Sequence, residues 1–160
     1  MMATPTLHHT TARALIEAPL FARLAGRVAR ENAMPDELAQ RIVEQALVFL
    51  VAAARNRAHR GKPIAPSALV DIGWHTFILY TAEYSRFCER ALGGMVHHAP
   101  TDDGRPLEDP LVVQQRTLVA LAATGYPVDE DLWAAHGADC NESGGGGTCT
   151  QCHQGCVDSP

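Results

Sequence analysis

Residues 46–54 read Ala-Leu-Val-Phe-Leu-Val-Ala-Ala-Ala, an unbroken apolar run. As an α-helix this run is only about 14 Å long, while a bilayer core measures about 30 Å. It therefore predicts a helix buried inside a folded domain. Leu38, Ile42, Ala46, Phe49, Leu50 and Ala53 recur at intervals of three and four residues, which extends that helix from Pro35 to about Ala58. Pro35-Asp36-Glu37 suits its start, with proline in the first turn and acids beside the positive end of the helix dipole. Arg55, Arg57, His59, Arg60 and Lys62 complement the carbonyls at its other end, and Gly61 and Pro63 close it.

The rest of the first 125 positions has the same character. Ala, Leu, Arg, Glu and Gln dominate, and β-branched and aromatic runs are few. Thr10 or Thr11 can cap a first helix reaching about Asn32, with Pro19 breaking it into a short and a longer piece. Ser67 opens a third helix through Trp74, Phe77 and Ile78, and Thr81 a fourth holding Tyr84, Phe87, Cys88 and Leu92. Asp109-Pro110 caps a fifth that ends at Gly125, and a helical turn over 129–135 follows. The expected fold is all-α: about five helices in a compact bundle-like or orthogonal domain over 10–136. Its core should hold Phe49, Leu50, Trp74, Phe77, Ile78, Phe87 and Leu118. From Gly137 the apolar periodicity stops, and residues 137–160 read as a flexible, irregular Gly/Cys-rich tail.

Charge separates the two ends. Residues 1–100 carry 11 Lys+Arg against 8 Asp+Glu, a balance of +3, and residues 101–160 carry 2 against 10, a balance of −8. An acidic C-terminal part argues against nucleic acid as a partner and favours a cation. No signal-like segment or membrane-length apolar run is visible, so the expected setting is cytoplasmic, without a membrane partner. There, clustered thiols bind metal more often than they form disulfides.

Four of the five cysteines, Cys140, Cys149, Cys152 and Cys156, fall in the tail with the spacing C-x8-C-x2-C-x3-C, and His153 follows Cys152. Two residues between Cys149 and Cys152 let both sulfurs reach one tetrahedral ion at about 2.3 Å. Cys156 can supply a third ligand, and Cys140 or His153 the fourth. Four thiolates on an acidic tail repel one another unless protonated, oxidised or bound to a cation. Zinc or another soft ion answers this most simply. An iron–sulfur cluster is a weaker alternative, because the bacterial ferredoxin spacing is not met. Cys149-Thr-Gln-Cys152-His153 also fits c-type haem attachment, which normally requires export. A disulfide or redox switch is a further alternative.

A second set of candidate residues lies in the domain. Asp71 and His75 are one helical turn apart and share a face, where the carboxylate can orient the imidazole. Tyr84 and Cys88 form the same pair one helix later. If these helices pack as a hairpin, Asp71, His75, Tyr84, Cys88 and His97 or His98 converge on a mixed N/S/O site suited to zinc or a redox metal.

The segment Val70-Asp71-Ile72-Gly73-Trp74-His75-Thr76-Phe77-Ile78, continuing to Tyr84, Phe87 and Cys88, resembles the motif of the glycine-rich-domain-containing-protein-like family. His97-His98-x-Pro100 is similar to bacterial members. The resemblance covers about residues 65–100 and implies an α-helical domain. The long glycine-rich regions of eukaryotic members are absent here, where only Gly144–Gly147 stand in their place.

These readings point to a small metal-binding protein with a role in metal handling or redox sensing. The alternative is a ribosomal peptide precursor, with a folded leader domain and a modified Cys/Ser/Thr-rich C-terminal core. No nucleophile elbow, P-loop, dinucleotide fingerprint or His-Glu-x-x-His is present, so no catalytic residue is assigned.

Overall fold

Pro19 sits in the first turn of helix α1 (Ala18–Glu31), just after a separate 3-10 turn at Ala12–Leu15. Proline costs little there, because its missing N–H has no partner inside the helix anyway. The computed structural model describes residues 11–99 and 108–134 and the backbone of 157–158. Within these the protein is all-α apart from one two-residue strand pair. Helix α1 turns Phe21, Leu24, Ala25, Val28 and Ala29 inward.

Helix α2 (Asp36–Ala58) is buried on nearly every side between Ala39 and Ala54. A helix that is apolar all round must be wrapped by others, and α1, α3 (Ala68–Ile78) and α5 (Pro110–Ala122) pack on it. The cations at its end cap carbonyls elsewhere: Arg55 donates to the Ala123 and Thr124 carbonyls and Arg57 to that of Met95. Gln45, the buried amide of this helix, bonds to three groups. Its side chain donates to the Pro127 carbonyl at 3.0 Å and accepts from Trp133 Nε1 at 2.8 Å and the Asp129 N–H at 3.2 Å. These bonds hold the short helix α6 (Glu130–Trp133) and bury Trp133 against the domain.

Helix α4 (Thr81–Phe87) runs into a π-helical turn at Cys88–Leu92, ended by Gly93 at φ +72°. That left-handed conformation is open to glycine without a Cβ clash. The chain then reverses into strand β1 (His98–Ala99). It pairs antiparallel with β2 (Val157–Asp158), His98 opposite Asp158 and Ala99 opposite Val157. An irregular tail does not predict this pair. A two-residue ladder leaves no stretch of alternation in the sequence to read.

Phe49, Leu50, Trp74, Phe77 and Phe87 are in the core as expected, and Ile78 is partly buried against it. Leu118 is not: it is 38% exposed. The face of α5 that turns inward carries Thr117 and Leu121 instead. The Thr117 hydroxyl accepts from the Ala65 N–H at 3.2 Å and lies 3.1 Å from the Ala65 carbonyl. A polar anchor of this kind sets the rotation of a helix and is invisible to apolar periodicity. No helix among the described residues is long and apolar enough to cross a membrane.

Candidate metal centre

The local sequence around α3 explains how its polar residues reach one place. Ser67 caps the helix, its hydroxyl accepting from the Val70 N–H at 3.2 Å. Val70, Trp74 and Phe77 then face inward and are buried. Gly73 lies directly against α2. A Cβ on it would stand 3.0 Å from both the Ile42 carbonyl oxygen and the Ala46 Cβ, closer than ordinary contact. Close approach at Gly73 leaves Asp71 and His75 at the rim, four residues apart on one face.

The third group arrives from β1. Val96 is buried, and its carbonyl accepts from the Tyr84 hydroxyl at 2.6 Å, which ties the returning chain to α4. Two residues on, the His98 imidazole is wedged between two rings. Its centroid is 4.3 Å from that of Trp74 and 4.2 Å from that of His75. Both neighbouring rings are tilted to it, by 50° and 45°, and its Nε2 meets Asp71.

Asp71 stands between the two histidines. One carboxylate oxygen, Oδ1, is 3.0 Å from His98 Nε2, and the other, Oδ2, is 3.1 Å from His75 Nδ1. The same His75 nitrogen is 3.1 Å from the Asp71 backbone carbonyl. One ligand atom from each of Asp71, His75 and His98 lies within 4.8 Å of the other two. The His98 and Asp71 side chains are 12% and 19% exposed and that of His75 is 55% exposed, so the cluster is walled by the domain and open on one side.

Asp71, His75 and His98 form a group that could hold a metal ion. Bonds of about 2.0–2.1 Å to nitrogen and oxygen put neighbouring ligands about 3.0–3.4 Å apart in octahedral or tetrahedral geometry. The two carboxylate–imidazole separations are of that order, each measured from a different oxygen of Asp71, and the three donor atoms together lie within 4.8 Å of one another. Without an ion, imidazole protons shared with Asp71 satisfy the same atoms. An incoming cation must displace them. Among the described residues no other group of His, Cys, Asp and Glu meets the same test.

The wider convergence expected of the helix hairpin is realised only in part. Asp71, His75 and His98 come together. His97, the neighbour of His98, is exposed and outside the group. Tyr84 and Cys88 are buried and also outside it. The Tyr84 hydroxyl is taken by the Val96 carbonyl and by Trp74 Nε1, which donates to it at 2.9 Å. Burial raises the pKa of both the Tyr84 phenol and the Cys88 thiol, which favours their neutral forms. Tyr84 clamps Trp74 and the Val96 carbonyl, and Cys88 is part of the buried core. Trp74, expected simply as core, is the residue that links Tyr84 to the centre: it packs against His98 and bonds to Tyr84. Its position beside His75 in the sequence is the only signal of that role. Cys140, Cys149, Cys152, His153 and Cys156 lie outside the described residues.

A family model described as UCP032817-like matches residues 11–105, which contain the whole Asp71/His75/His98 cluster. No curated protein and no solved structure matches the chain.

Proposed function

The chain belongs to the UCP032817-like family, and we propose that its helical domain binds a divalent transition-metal ion through Asp71, His75 and His98. The observation that carries this reading is the Asp71 carboxylate lying within 3.1 Å of a ring nitrogen from each of two histidines. Two imidazoles and one carboxylate are the donor set of zinc and of redox-active neighbours such as iron(II). Three protein donors leave positions for water or an exchangeable ligand, which suits metal handling or sensing. Trp74 supplies the apolar backing that orients a ligand histidine.

The tail cysteines are the second part of the proposal. The C-x8-C-x2-C-x3-C spacing of Cys140, Cys149, Cys152 and Cys156, with His153 beside them, is that of a soft-ion chelate. Zinc is the ion both donor sets accept. Kinship with the glycine-rich-domain-containing-protein-like family is proposed on the same motif, whose Asp71, Trp74, His75 and Tyr84 supply two ligands, the wall and the clamp.

Cobalt(II) and zinc titrations of a chain with all four tail cysteines changed to serine test the domain site. One ion bound per chain, lost in His98→Ala and in Asp71→Asn with helicity unchanged, is the expected result. Cobalt should also quench Trp74, whose ring touches that of His98. No binding to the serine variant, or binding that survives His98→Ala, overturns the assignment.

A further inference from the structure

His98 belongs to two structures at once. Its imidazole is 3.0 Å from Asp71 in the candidate centre, and its backbone is opposite Asp158 in the ladder between β1 and β2. The ladder has only two residue pairs. So short a ribbon is marginal in water without help. Its formation therefore depends on how firmly β1 is held as a template.

What holds β1 is the set of groups that builds the centre. The Tyr84 hydroxyl fixes the Val96 carbonyl, and Trp74 and His75 enclose the His98 ring. An ion bonded to Asp71, His75 and His98 would add a rigid link between α3 and the first residue of β1. Resting on the metal reading above, we infer that β2 is a metal-linked element of this protein. Ion binding at Asp71/His75/His98 favours pairing of residues 157–158 with β1, and that pairing in turn tightens ion binding. The second half follows from the first, because a coupling free energy between two binding events is the same in both directions. In the sequence β2 directly follows Cys156, so the link ties the thiol-bearing tail to the occupancy of the domain site.

The test compares two chains that both carry serine at 140, 149, 152 and 156, which removes thiolate ligation. One runs to residue 160 and the other stops at residue 156. Zinc affinity is measured for both, and amide exchange at His98, Ala99, Val157 and Asp158 is followed by NMR with and without zinc. The expected result is weaker zinc binding in the shorter chain, by a factor between about 5 and 150, the usual range of such couplings. Slowed exchange at Val157 and Asp158 on adding zinc to the longer chain should accompany it. Equal affinities with unchanged exchange at 157–158 overturn the linkage and leave the metal site standing. Absence of zinc binding in both chains overturns the two together.

Discussion

The Tyr84 hydroxyl donates to the Val96 carbonyl at 2.6 Å, and both residues are buried. The bond joins helix α4 to the strand-forming segment across twelve positions of sequence. It fixes the chain two residues before His98. Because the same hydroxyl accepts from Trp74 Nε1 at 2.9 Å, one phenol holds both the segment leading into β1 and the indole against which the histidine packs.

Tyr84→Phe removes the hydroxyl while keeping the ring, which packs on Phe77 with centroids 5.2 Å apart. The Trp74 N–H and the Val96 carbonyl then lose a partner inside the core. A buried polar group left unsatisfied costs about 1–3 kcal/mol, so chemical denaturation should show a loss of about 2–4 kcal/mol for the pair. Metal affinity should fall by about tenfold, the lower end of the effect of outer-shell changes. A stable Tyr84→Phe variant with unaltered affinity would show that His98 is held by ring packing alone.

Gln45 makes a separate prediction at the other end of α2. Its side chain satisfies the Pro127 carbonyl, the Asp129 N–H and the Trp133 indole together. Gln45→Leu has nearly the same volume but no polar atoms, so all three groups are orphaned at once. At about 1–3 kcal/mol for each buried group, relieved where water reaches it, a destabilisation of about 3 kcal/mol is expected from denaturant midpoints. Trp133 should also become more exposed to a collisional quencher. A loss below about 0.5 kcal/mol, the size of an ordinary surface change, would mean that α6 docks without this anchor.

The helices were legible in the sequence because each carries a physical signal of its own. Ser67 and Asp109 cap where short polar side chains precede an apolar run, and both side chains accept from the helix they open. Pro19 marks a boundary, and the apolar stretch in α2 is buried. Asp71 and His75 were legible as a pair because four-residue spacing brings side chains together within one helix. The contribution of His98 was only half legible. Sequence offers His97 and His98 equally. The choice between them depends on the Tyr84–Val96 bond and on which way the chain leaves Gly93. Long-range polar anchors such as Gln45 and Thr117 leave no periodic trace, so the placement of α6 and the rotation of α5 are legible only in the folded structure.

The link between Arg41 and Asp129 predicts how α6 responds to acid. The Asp129 carboxylate meets Arg41 in a two-pronged contact at 2.6 and 2.8 Å, and Asp131 adds a third oxygen at 3.2 Å. The Arg41 guanidinium lowers the pKa of Asp129, against the opposing effect of partial burial. A carboxyl with a lowered folded-state value stabilises the folded form fully above its unfolded value, near pH 3.9. That stabilisation is lost as pH falls through the lowered value. Docking of α6 should therefore be insensitive to pH near neutrality and weaken only in strong acid. Arg41→Gln removes the cation, so its α6 should loosen at a higher pH than the wild type. The indole N–H resonance of Trp133, which donates to Gln45, reports the transition without interference from the rest of the core. High salt should narrow the gap between the two proteins, because the Arg41 side chain is 37% exposed and its charge is open to screening. Identical acid midpoints for the two proteins at low salt would remove the ion pair as the cause.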